Sequence, residues 1–488
     1  MKKILFFESL FALVFLINSC DSCKKNETAL CDGKTISQKV KELLPKDELA
    51  KIELDSAGFP YVKNQFVLTF TKKFEAEIDS ARKSNEKQFA RKAEVVTVEW
   101  MKTKLKDDIQ KHFSLKEEEV ENIKYDFCEC DKYVLITLPV EAQPHGTVVV
   151  NGQSIEGVNR NFIAIKDDKT GEEAKLPTNP TESVDVLSKK LSENSEKDII
   201  VGIEDTGYDY ELMTEYNQYL YNSLIQSETC TPNDIHGWNL VEKNGLNDSD
   251  QDNVIWDNDP SRHGTIIAEN IIRMNNTLKN KNSFKILPVK SHDEHKVSYL
   301  FHIMCGIRYA ANKGARILNA SYRFYHTDPS QLHDLKNAIA YAKTKNMLII
   351  TSAGNDGCTM NDKVKVLPAQ FYDTKYLDNI VVVTSIDKDY TTIPSYANKN
   401  SNFVHIAAQG TTVSKLQTYL FTSEGTSFAT GIVSGYATYL LSSQPSSNLT
   451  YQALRNNLLN GSHITNVSAL FPDVEKGRVL HYWLPDAR

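Results

Sequence analysis

Four residues carry the chemistry open to this chain: Asp205 in IIVGIEDTG, His263 in HGTIIAENII, Asn355 in LIITSAGN and Ser427 in GTSFATGIV. A serine hydroxyl is a weak nucleophile until a base removes its proton, and an imidazole is the side chain suited to that near neutral pH. A carboxylate can then hold the imidazole in one tautomer. Each residue alone has an ordinary structural use: a serine caps a helix, a histidine packs at a helix start, and an asparagine tolerates a left-handed loop. Asp205, His263 and Ser427, at strand or helix ends of one chain, supply the three groups that acyl transfer needs. Metal is not required for that chemistry.

The elements that must position them read as follows. From Asp198 the sequence alternates strand, loop and helix. Short apolar runs at 199–203, 284–289, 315–320, 347–352 and 380–384 have the composition of parallel strands buried on both faces. Helical patterns lie at 298–312 and 331–345. This alternation predicts an α/β fold, a doubly wound mostly parallel sheet over 198–488, with active residues at the carboxyl ends of its strands. Within 425–441, apolar residues at Ala429, Ile432, Val433, Tyr436, Ala437, Leu440 and Leu441 predict a helix with one buried face. Ser427 stands at its start, where amide groups and the dipole favour developing negative charge.

A smaller α+β domain is predicted at 59–165. Phe66, Leu68 and Phe70 alternate as in a strand, Trp100, Met101, Leu105, Ile109 and Phe113 draw a helix face, and 133–138 returns as a strand. Asn151-Gly152 signals a hairpin. The polar stretch 166–197, with Pro177 and Pro180, reads as a junction.

At 488 residues the chain exceeds one ordinary core, so more than one domain is expected. A net charge of -7 with no basic stripe excludes nucleic acid as the main partner. Lys2 and Lys3 precede an apolar run at 9–17 that is too short to span a bilayer, so 1–19 reads as a signal peptide. The run closes on Ile17, Asn18, Ser19 and Cys20, which resembles a bacterial lipobox and implies lipidation of Cys20, hence a membrane anchor. Export to the bacterial cell envelope as a lipoprotein, or secretion, follows. Residues 20–58 are polar with little periodicity and read as a tether. Of eight cysteines, Cys20 is assigned to the lipid, Cys128 and Cys130 are too close along one strand to bridge each other, and Cys230, Cys305 and Cys358 read as packing residues.

DTG, HGT and GTSFAT, in the order Asp, His, Ser, together resemble a subtilisin-like serine peptidase, a subtilase, over about 195–485. ILPVK at 286–290, GARILNAS at 314–321, IHGWN at 235–239 and GRVL at 477–480 also resemble the family. The resemblance implies a serine endopeptidase in which Asp205, His263 and Ser427 form the triad and Asn355 the oxyanion hole. It further implies a protein or peptide substrate bound along Ser321, Tyr322, Arg323, Ser352, Ala353 and Gly354. More loosely, 59–165 resembles a propeptide, a partner that covers the cleft until cut. The chain departs from the family pattern at Ile266, Glu269 and Gly431, which touch helix packing. Arg323 stands where the family has glycine, and either turns into solvent or recognises a substrate carboxylate and narrows the cleft. Glu204 lies on a central strand and needs a partner or a raised pKa. Asp248, Asp250, Asp252, Asp257 and Asp259 form an acidic run, either solvated or binding structural calcium, with Asn253 at the sixth position of such a loop. The alternative function is a catalytically silent surface binding protein that retains the fold.

Overall fold

The structure is a computed structural model of the 488-residue chain. It describes residues 30, 33–85, 90–128, 132–141, 154–166, 169–171, 176–177, 179–181, 191–195, 197–223, 234–241, 255–278, 283–361, 363–372, 376–443 and 449–485. The signal peptide, Cys20, the Asn151-Gly152 turn, and Asp248, Asp250 and Asp252 lie outside the described residues.

The apolar runs from Ile199 onward assemble into one nine-stranded sheet. From one edge its order is Ile464–Asn466, Arg478–Leu480, Ile406–Gln409, Ile380–Ile386, Leu348–Ser352, Ile317–Ala320, Ile199–Asp205, Phe284–Lys290 and Trp238–Asn239. Neighbours are parallel except at the first pair. Because strand side chains alternate, Val201 and Ile203 face one layer with the helices His263–Thr277 and Thr426–Ser442, while Ile200 faces the other with Leu300–Asn312 and His333–Thr344. Helices therefore cover both faces. Thr426–Ser442 differs from the one-faced helix expected: Thr430, Ser434 and Thr438 are as buried as Ile432 and Val433. Their hydroxyls are satisfied internally, Thr430 and Thr438 by carbonyls one turn back and Ser434 by Asn319 on a strand.

A second, antiparallel sheet runs Val297–Tyr299, Ile155–Ile165, Pro60–Phe70, Tyr133–Thr137 and Lys124–Phe127, with Ile52–Leu54 also on Pro60–Phe70. Phe66, Leu68 and Phe70 pack one face against Met101, Leu105, Ile109 and Phe113 of the helix Ala90–Phe113. Val67, Tyr133 and Leu135 on the opposite face share a core with Phe301, Met304 and Cys305. The edge strand Val297–Tyr299 belongs to the later part of the chain, so the sheet joins the two parts.

Two sequence readings need correction. The described part of 20–58 is folded: Thr35 and Gln38 form a capping box for the helix Ile36–Leu43, which buries Ile36 and Val40. Its charges have buried partners, Lys39 Nζ lying 2.6 Å from Asp356 and, further along, Asp55 lying 3.1 Å from His326 Nε2. Polar composition suggested a tether because those partners lie some three hundred residues away. Cys305 is likewise no mere packing residue. It is disulfide-bonded to Cys128, with Cα atoms 5.8 Å apart, and Cys358 is also disulfide-bonded.

Candidate active site

Asp205 ends a strand whose seven residues are all buried. Its Oδ1 lies 2.7 Å from His263 Nδ1 and accepts the Thr206 backbone N–H at 2.8 Å. His263 opens its helix next to Gly264, where a Cβ would meet Gly207 O at 2.4 Å, so glycine permits the close approach that brings the imidazole to the carboxylate. The helix start is over-determined. Asp259 accepts the His263 N–H at 2.9 Å, and Asp257 accepts the Thr265 N–H at 3.0 Å and hydroxyl at 2.8 Å. Arg262 holds φ 52° with its Nε donating to Asp209 at 2.7 Å. Asp257 and Asp259 are thus buried caps of the His263 helix, which corrects their reading as part of a solvated acidic run.

Ser427 lies in the first turn of its helix and is 1% exposed. Its Oγ is 3.4 Å from Ser321 O, and Ser321 Oγ donates to Ser427 O at 3.2 Å. The ring of the next residue, Phe428, lies 5.2 Å from the His263 ring, centroid to centroid. Asn355 Oδ1 accepts the Thr426 N–H and hydroxyl, both at 2.9 Å, which turns its Nδ2 donor end the other way. Gly354 adopts φ 102° and donates to Thr426 Oγ1 at 3.2 Å. Ala353 donates to Val383 O at 2.8 Å, and Ser352 ends a central strand.

Burial acts to raise the Asp205 pKa, but the neighbouring His263 and Lys166 outweigh it and hold the carboxyl well below its usual range. Beside it, burial pushes Glu204 well above that range. The partner Glu204 required is Tyr322, whose hydroxyl donates at 2.7 Å. Tyr322 is therefore buried, with its side chain engaged inward. Arg323 departs from the reading that turns it into solvent. It is 1% exposed, hydrogen-bonded through Nε to Tyr325 OH and 3.8 Å from Asp356, within the buried cluster that takes in Lys39.

Sequence reasoning missed Lys166, assigned to a junction. Its Nζ is fully enclosed, donating at 2.7 Å to both Asp205 Oδ2 and Ser321 O. The following strand, Lys169–Gly171, pairs with Tyr419–Glu424, just ahead of Ser427. Only the apolar run 162–165 hinted at a strand here, and nothing local names its distant partners.

The fold and this cluster place the chain in a family: residues 196–477 match the subtilase family, and the chain belongs to it. Among its relatives, subtilisin-like protease 3 of Plasmodium falciparum is 30% identical over 219 residues, 40% of this chain and 27% of that protein. The thermophilic serine proteinase of Bacillus sp. (strain AK1) is 31% identical over 169 residues, 34% of this chain and 37% of its own. The chain thus spans about a third or less of those two. Subtilisin DY of Bacillus licheniformis is 26% identical over 223 residues, covering 44% of this chain and 75% of that one. A crystal structure of the epidermin leader peptide processing serine protease from Staphylococcus aureus shares the fold, with a TM-score of 0.52 at 17% identity over 86% of this chain and 96% of that one.

Proposed function

We propose that this chain is a serine endopeptidase. The observation that carries the reading is the buried Asp205 carboxylate 2.7 Å from His263 Nδ1, with Ser427 at a helix start one residue before Phe428, whose ring lies 5.2 Å from the His263 ring. With Asp205 accepting from Nδ1, the basic nitrogen of His263 is Nε2, which takes the Ser427 proton as Oγ attacks the scissile carbonyl and later returns a proton to the leaving amine. Asp205 steadies the imidazolium formed in between. Asn355 Nδ2 and the Ser427 backbone N–H donate to the tetrahedral oxyanion, and water then hydrolyses the acyl-enzyme. Ser427→Ala and His263→Ala are each expected to lower turnover by about six orders of magnitude, the scale known for subtilisin. Substantial activity surviving either change would remove the assignment.

Residues 59–165 act in this proposal as a propeptide, a cleft-covering partner of the catalytic residues 198–488. Support comes from the strand Ile155–Ile165, which pairs with Val297–Tyr299 on one side and at Ile165 with Arg323 on the other. N-terminal sequencing of active protein should then find a start between about 160 and 198; active material beginning at Cys20 would exclude it. Lipidation of Cys20 completes the proposal for an exported protein. Cys20→Ala should release the protein from membranes, because the acyl chains that anchor it are gone. Among the described residues, no helix is long and apolar enough to cross a membrane.

A further inference from the structure

Lys166 is a buried cation that the hydrolytic mechanism does not use. The chain approaches it as an extended strand: Ile163, Ala164 and Ile165 pair with Tyr299, Ser298 and Val297. Ile165 and Arg323 exchange backbone hydrogen bonds at 3.0 and 3.3 Å, and the Lys166 N–H donates to Lys296 O at 3.2 Å. Beyond it, Lys169, Thr170 and Gly171 pair with Glu424, Ser423 and Thr422. The chain therefore enters between two strand edges and leaves along the strand that leads into the Ser427 helix. A separate peptide can add to the same edges by the same main-chain bonds.

The side chain of Lys166 meets partners from the later part of the chain. Asp205 Oδ2 and Ser321 O receive the ammonium, and the Tyr322 ring lies 5.8 Å from it. Glu204 and His292 stand behind, one bonded to Tyr322 and the other with its ring tilted against it at 5.4 Å between centroids. An uncharged side chain of equal length would leave Asp205 Oδ2 buried without its cation, and an acidic one would face a carboxylate.

Resting on the endopeptidase reading, we infer that the catalytic part carries a lysyl-accepting pocket floored by Asp205 Oδ2 and Ser321 O. It selects peptides with a lysine one to three residues before the bond cut, and the first such peptide is the chain's own, cut between Lys166 and Lys169. The test offers peptides spanning residues 160–173 to full-chain protein whose Ser427 reacts with a fluorophosphonate. Lys166 is kept, or changed as Lys166→Met or Lys166→Glu. The unchanged peptide should be cut with kcat/KM on the order of tenfold to a hundredfold above the Met peptide, with the Glu peptide slower still. Lys166→Met in the full chain should slow the appearance of a new N-terminus at 167, 168 or 169 by a similar factor. A Met peptide cut faster overturns the pocket and makes Lys166 a brake on Asp205. Labelled enzyme indifferent to lysine overturns the pocket alone, whereas protein that never labels overturns the endopeptidase reading and the pocket with it.

Discussion

Gly264→Ala tests how closely turnover depends on the approach of the His263 helix to Asp205. The added Cβ would lie 2.4 Å from Gly207 O, 3.0 Å from Gly207 N and 3.2 Å from Asp205 Cβ. Two of these are backbone atoms that no rotamer change can move. Ordinary carbon contact begins about 1 Å further out than the shortest of them, so the helix start or the Asp205–Gly207 turn must retreat by about that distance. The His263 Nδ1 to Asp205 contact of 2.7 Å cannot survive such a shift as a strong hydrogen bond. A displacement of this size is expected to lower kcat by about a hundredfold, with overpacking costing about 1–3 kcal/mol of stability. KM should change little, since substrate pairs with other strands. Gly431→Ala is the control: its Cβ would meet Ile267 atoms at 3.5 Å, an ordinary contact, and alanine is the better helix former by about 0.5–1 kcal/mol. Steady-state kinetics and thermal melts on both variants decide the matter. A Gly264→Ala enzyme with unchanged kcat would refute the reasoning, as would a Gly431→Ala enzyme damaged to the same degree.

Asn355→Ala should lower kcat by about a hundred- to a thousandfold with KM nearly unchanged, the scale seen for one lost oxyanion donor in subtilisin; a loss confined to KM would contradict its role. Glu204 gives a pH signature. Its raised carboxyl keeps a proton in the folded chain after the unfolded chain has released one, so stability falls as pH rises from about 4.3 towards the raised value. Glu204→Gln removes that slope, and its melting temperature should gain on the wild type as pH rises through that window; the opposite trend would mean that Glu204 is ionised against Lys166. Finally, Cys128 and Cys305 fall on opposite sides of the proposed cut. Processed protein should run as one species on a non-reducing gel and as two after reduction, whereas separation without reductant would argue against a retained N-terminal part.

What could be read from sequence was local. Asp205, His263, Asn355 and Ser427 each sit in a short string whose apolar run and turn residues already mark a strand or helix end. Five strands of the large sheet were legible because they hold apolar runs such as 380–383. Ile406–Gln409 was missed because its short run ends in glutamine, and Arg478–Leu480 because three residues carry no periodicity. The other unread features are contacts between distant parts of the chain. Lys166 reads as the start of a polar linker until the fold brings Asp205 to it, and Arg323 reads as a surface cation until Asp356 arrives. The cysteines show the same limit, since Cys128 and Cys305 are 177 residues apart.

The most direct measurement of the central claim is covalent labelling of the purified protein by a serine-directed fluorophosphonate, read by intact mass and peptide mapping. The account predicts one adduct, on Ser427, which disappears in Ser427→Ala and is strongly slowed in His263→Ala. Absence of labelling in wild-type protein processed after residue 166, or an adduct that persists in Ser427→Ala, would contradict it and favour a binding protein that keeps the fold.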